Sequence, residues 1–392
     1  MNAASLPRTR LVSAPPGVDV AWVLSGGMKT PGARIHGVNL HQQLLKAGVR
    51  SVILRGERFS QSISQDECRD LLNQVRCVLP QAIVIQKLVG ENALALAREA
   101  RALGVRVIFH ACDIVDNDMA SMSDVCLAGS DFLVGLYQRK HRRKFHLLDD
   151  AIETPERLCN REIEIPQHGR LKAVYLSSSF PDKHLQRLLN ELCAVVDVTV
   201  LSRRSYTMDR ANAKSAAKHA QEGPVRKLAN AFKEHRWGIV RRLGLQVYYR
   251  MNQRRMMGPS RASDSTEQFS FVEWDLETAS DVMANHHIGL IPSVLNSNFK
   301  MSKSSNRLAT LMSCGLAVVT SPVPSYLPHI QAGKNAVVAR TYKEWLGVVD
   351  RLDRDRQLVQ QLADLGRAHA FANFSRDVIA TRLLQIIDSC FI

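Results

Sequence analysis

Twice along the chain, short apolar runs ending in Gly, Ser or His alternate with helix-like segments, and this alternation limits the possible folds more than any other feature. The first series opens with VDVAWVLSGG, apolar from Val18 to Leu24. A helical pattern from about His36 to Lys46, the strand VRSVILRG and a polar helix around Asp66 to Val75 follow. The strand AIVIQ, the helix ENALALAREARALG, the strand VRVIFH, the strand DVCLAGS from Asp124 and the helix DFLVGLYQRK complete it. A polar stretch with two prolines, Ala151 to Arg170, reads as a linker. The second series runs LKAVYLSSSF, DKHLQRLLNELC, VDVTVLS, FSFVEWD, LETASDVMANH, HIGLIPS, a helix from about Ser304 to Ser313, LAVVTS and NAVVA. Two long helical stretches then reach the C-terminus. Strands alternating with helices predict βαβ units and parallel sheets.

A chain of 392 residues exceeds one compact core and suits two. The predicted domains are 1–160, 161–370 and a closing helix at 371–392 that returns to the first. No apolar run is long enough to span a membrane. The N-terminal MNAASLPRTRLVSAPPG lacks the apolar centre of a secretory signal, so a cytoplasmic location is expected. None of the eight cysteines forms a CxxC pair, which argues against a zinc or redox motif; several read as small buried hydrophobes. Net charge is +15, and 15 Lys and Arg against three acidic residues lie between Arg203 and Ala262. Helix-prone and basic, with Trp237, Tyr248 and Tyr249 interspersed, this insertion predicts contact with an anionic membrane surface or acceptor. It has no motif for specific nucleic-acid recognition.

The stretch HIGLIPSVLNSNFKMSKSSNRLATLMSCGLAVVTSPVPSYLPHIQAGKNAVVA carries the most chemistry. Lys303, Ser304, Ser305 and Asn306 stand where a helix follows a strand. Its unpaired N–H groups, with Lys303 and Arg307, suit a diphosphate there. The order of Pro292-Ser293, Lys303 to Arg307, Cys314-Gly315, Ala317-Val318-Val319 and the Gly333-Lys334-Asn335 turn resembles the nucleotide-sugar-binding core of group-1 (family 4-like) GT-B glycosyltransferases. That resemblance implies an α/β fold of two Rossmann-like doubly wound domains facing across a cleft. Thr310 stands where many such relatives carry a glutamate for the donor, which weakens the implied donor contact. The loop Ser177 to Phe180, with Ser179, and Lys183 on the next helix, occupy a place where such enzymes approach donor phosphates.

In the first half, the loop from Ser25 to His36 looks like the glycine-rich first loop of GT-B acceptor domains. It puts Gly26, Gly27, Arg34 and His36 toward donor or acceptor. His110-Ala111-Cys112-Asp113 closes a strand and is followed by Asp116 and Asp118. Asp113 or His110 is the expected general base, though such aspartates also serve as helix caps. The resemblance implies sugar transfer from a nucleotide sugar to a hydroxyl of a glycan or lipid-linked acceptor, in bacterial surface polysaccharide synthesis, with neither metal nor cofactor required. Alternatives are a catalytically degenerate GT-B scaffold or glycan-binding protein and a nucleotide-sugar epimerase.

Overall fold

The computed structural model describes residues 19–113, 116–136, 141, 144–159, 161–204, 251, 256, 267–295 and 297–391. The basic insertion at 203–262 therefore lies almost wholly outside the described residues. The chain divides into two compact units, Met1–Glu153 with Ala372–Ile392, and Thr154–Phe371.

The N-terminal unit is built on six parallel strands: β1 (Val20–Val23), β2 (Ser51–Arg55), β3 (Ala82–Gln86), β4 (Arg106–Cys112), β5 (Val125–Ala128) and β6 (Phe145–Leu147), in the order β2-β1-β3-β4-β5-β6. β1 and β3 are buried throughout, as continuous Val/Ile/Leu-rich runs must be when helices cover both sheet faces. One face packs Ile83, Ile85, Val107 and Phe109 under the helices Gln65–Val78 and Glu91–Ala102. The other sets Trp22, Val84 and Ile108 against Ile379 and Leu383 of the C-terminal helix Arg376–Phe391. Ser64 starts the first of these helices by accepting from the Glu67 N–H at 3.1 Å.

The second unit repeats the plan with β7 (Lys172–Leu176), β8 (Asp197–Ser202), β9 (Ser270–Glu273), β10 (Ile288–Ile291), β11 (Ala317–Thr320) and β12 (Val337–Val338), ordered β12-β11-β10-β7-β8-β9. Trp345, Val349 and Leu352 cover its core from the helix Tyr342–Arg354. Gly315 ends the helix Asn306–Ser313 at φ +78°, the left-handed position that closes a helix cheaply only with glycine.

Some boundaries differ from the sequence reading. Three helices, not two, close the chain: Tyr342–Arg354, Arg356–Phe374 and Arg376–Phe391. Asp355 interrupts the first pair, its carboxylate accepting from Leu358 N–H at 2.9 Å. The expected helix near His36 begins earlier, at Pro31–Ala33, and passes through a π-helical turn, Arg34–Val38, into the regular helix Asn39–Lys46. β6 escaped notice because three residues carry no readable period.

At the amino-terminal edge of the second sheet, His287 Nδ1 accepts the Lys172 N–H at 2.9 Å, which holds the ring neutral. Burial, reinforced by His286, Lys172, Arg356 and Arg161, pushes its pKa down to about 4. The unfolded chain then takes up the proton first, so this group costs no stability above about pH 6.5 and progressively more as pH falls toward 4. The variant His287→Asn keeps an acceptor without the titration. Its urea midpoint is expected to fall less than that of the parent between those limits; parallel curves would refute the assignment.

Candidate functional site

In an open parallel sheet, ligands collect beyond the carboxyl ends of the strands, where the strand order reverses. In the second unit that point lies between β7 and β10. The loop after β7 holds Ser177, whose Oγ accepts from the Ser179 N–H at 3.4 Å; Ser179 itself is exposed. Lys183 is exposed on the first turn of the next helix, whose cap is Asp182, accepting from His184 and Leu185 N–H groups at 3.1 Å. The serines are therefore not the cap.

After β10 the chain reaches Lys303, Ser304 and the buried Ser305, and the helix begins at Asn306. Ser325 Oγ donates to the Lys303 carbonyl at 2.6 Å and fixes the loop. Ser305 makes no side-chain cap bond to the helix. Arg307, partly buried, crosses to β7 and brings its Nη1 within 3.5 Å of the Leu176 carbonyl. Burial opposes its charge, but Tyr326 and Tyr175 outweigh that and raise its pKa, so the guanidinium stays charged. Thr310 lies one turn farther along, partly buried, with its carbonyl taking the Ser313 hydroxyl at 2.8 Å. Arg307 thus reaches across the point where the strand order reverses, and Lys303 lies in the loop that leads into its helix.

The corresponding point of the N-terminal sheet lies between β1 and β3, and it is bridged by side chains. Gln86 Oε1 accepts from both the N–H and the hydroxyl of Ser25, at 2.9 and 2.8 Å. A Cβ on Gly27 would stand 2.3 Å from the Gly56 carbonyl, so this glycine is required by the protein's own backbone. Arg34 is buried and holds Glu153 through two bonds, 2.7 and 2.9 Å, while its Nη1 donates to the Met28 carbonyl at 2.9 Å. Asn39 adds a third donor to Glu153 at 2.8 Å.

Beside that pair, His36, His110 and Cys112 form a buried group. β4 bulges between His110 and Cys112, and Cys112 sits at φ +52°. Its sulfur lies 3.3 Å from His110 Nδ1 and takes the Gln86 amide at 3.4 Å. The His36 and His110 rings are 4.5 Å apart, and His36 Nε2 stands 3.4 Å from the Asp150 carboxylate. Burial alone would lower the His36 pKa; Asp150 and the Cys112 sulfur outweigh it and raise it to about 9. Burial would raise the Cys112 thiol, yet the His36 and His110 imidazoles bring it well below its usual value.

Asp113 is a quarter exposed and ion-paired with Lys87, whereas His110 is fully buried. Asp116 caps the helix Asn117–Met122 by accepting from Met119 N–H at 2.8 Å. Sequence reading passed over Cys112, Asp150, Glu153, Gln86 and Lys87. The i, i+2 spacing of His110 and Cys112 on a strand, which puts both on one face, was the available signal.

Residues 248–385 match the model of a family described as glycosyl transferase-like. No curated protein sequence matches the chain significantly. Among solved structures, Anabaena Alr3699/HepE, in complex with UDP and glucose, has a TM-score of 0.60 at 11% identity, over 95% of this chain and 100% of that one. This is the GT-B glycosyltransferase fold. A Rickettsia africae glycosyltransferase has it too (TM-score 0.60, 9% identity, 96% of this chain and 99% of that one). So does sucrose-phosphate synthase from Thermosynechococcus elongatus, with TM-score 0.55 and 12% identity over 95% and 99% of the two chains. In this GT-B chain, both topological reversal points carry polar side chains, the setting in which α/β sheets hold ligands.

Proposed function

We propose that the protein transfers a sugar from a nucleotide sugar, bound by the second unit, to a hydroxyl of a glycan or lipid-linked acceptor. The observation that carries this reading is Arg307 spanning from its helix to the end of β7 at the strand-order reversal, with Lys303 in the loop that leads into that helix. A diphosphate leaving group there meets the first N–H groups of the helix Asn306–Ser313 and two cations. Those groups neutralise the growing negative charge without calling on a metal. Ser179, from the loop after β7, and Lys183, from the first turn of the next helix, complete the phosphate contacts, and Thr310 bonds a donor hydroxyl. In the N-terminal unit, Asp113 is the proton acceptor for the incoming hydroxyl, because it reaches solvent and His110 does not. HepE's complex with UDP and glucose and the glycosyl transferase-like match of residues 248–385 support the donor class.

The place of this reaction is bacterial surface polysaccharide synthesis, at the cytoplasmic face of the membrane, with the basic insertion at 203–262 attracting anionic lipid. No helix among the described residues is long and apolar enough to cross a membrane. Thermal shifts with UDP-, GDP-, CMP- and dTDP-sugars should single out one nucleotide, since a ligand of the native state stabilises it. Lys303→Ala is expected to weaken that donor about tenfold, the value of one charge-assisted phosphate contact; unchanged affinity would remove Lys303 from the site. Donor conversion without an acceptor would identify an epimerase instead, and binding with no turnover a degenerate scaffold, the reading that Thr310 favours.

A further inference from the structure

We infer that His36, His110 and Cys112 form a site for a thiophilic divalent cation of the zinc class, at the carboxyl end of β4 in the N-terminal unit. One ligand atom from each residue lies within 4.8 Å of the others, all three residues are buried, and this is the metal-capable group found among the described residues. Around a tetrahedral zinc, with Zn–N near 2.1 Å and Zn–S near 2.3 Å, ligand atoms stand roughly 3.3–3.6 Å apart. The Cys112 sulfur and His110 Nδ1 are already 3.3 Å apart. His36, on the turn Arg34–Val38, supplies the third ligand atom, within 4.8 Å of the other two.

Ligand chemistry selects the ion. Two imidazoles and a sulfur suit Zn²⁺, Co²⁺ or Cu²⁺ and are poor ligands for Mg²⁺ or Ca²⁺, which take oxygen. Asp150, 3.4 Å from His36 Nε2, supplies the carboxylate-on-imidazole support that orients ligating histidines. Three protein ligands leave one position open. The ion would tie the bulged end of β4 to the turn at His36, holding the strand end from which Asp113 projects, and it would take His110 out of proton transfer.

The test uses the full-length chain, stripped with a chelator and reloaded with Co²⁺. About one equivalent should bind and give a thiolate-to-cobalt charge-transfer band, which Zn²⁺ then abolishes. Cys112→Ser should remove the band, while Cys68→Ser and Cys126→Ser keep it. Asp150→Asn should keep it at roughly 10–100-fold weaker affinity. Should Cys112→Ser fail to fold, X-ray absorption of the zinc-loaded parent decides: one sulfur with imidazole nitrogens supports the site. A folded parent with no band, a band that survives Cys112→Ser, or a zinc shell without sulfur overturns it.

Discussion

Arg307→Ala is expected to lower the turnover of sugar transfer about 10²–10³-fold, the cost of losing one preorganised group that stabilises a developing oxyanion. Its guanidinium is held in place by the Leu176 carbonyl at 3.5 Å and kept charged by Tyr326 and Tyr175 despite burial, so in the proposed reaction it would pay little reorganisation as the diphosphate departs. The loss should fall mainly on kcat, because leaving-group charge is larger in the transition state than in the bound donor. Arg307→Lys keeps a charge but not the planar fork, and should recover only part of the rate. Circular dichroism and a urea titration separate this effect from unfolding. A kcat within threefold of the parent, in a folded variant, would take Arg307 out of the transition state and leave the reading without its main support.

How far the sequence carried the fold depends on what each residue's neighbours are. β1, β3 and β4 were legible because buried parallel strands are continuous apolar runs, and VAWV, AIVIQ and VIFHA are such runs. The loop from Lys303 to Arg307 was legible as the connection from a strand into a helix because its order relative to both is local. Pairings across long separations were not. Nothing near Arg34 announces Glu153, 119 residues away, or tells that Gly27 is set against the Gly56 carbonyl. Glu153 stood in a stretch that reads as linker, and Cys112 in one that reads as core. Only the sheet order, which brings the ends of β1, β3 and β4 together, makes them members of one polar group.

Glu153→Ala should destabilise the N-terminal unit by about 3–5 kcal/mol, because it strands a buried cation. Arg34 is only 3% exposed, and Glu153 receives both its Nε and Nη2 in addition to the Asn39 amide. Glu153 itself is 20% exposed, so solvent screens part of the attraction and the lower end of the range is the expectation. With Glu153 gone, Arg34 loses both of its charge-assisted bonds to that carboxylate, and its bond to the Met28 carbonyl does not replace the lost counter-charge. The double variant Arg34→Met with Glu153→Ala removes the stranded charge and fills its volume, and should regain most of the loss. Urea unfolding followed by tryptophan fluorescence, to which buried Trp22 of β1 contributes, measures both. If the double variant is no more stable than Glu153→Ala, Arg34 contributes by packing its stem and not by its charge. The His36–Asp150 contact alongside, closed at 3.4 Å, would then be the ion pair that fixes this turn to its sheet.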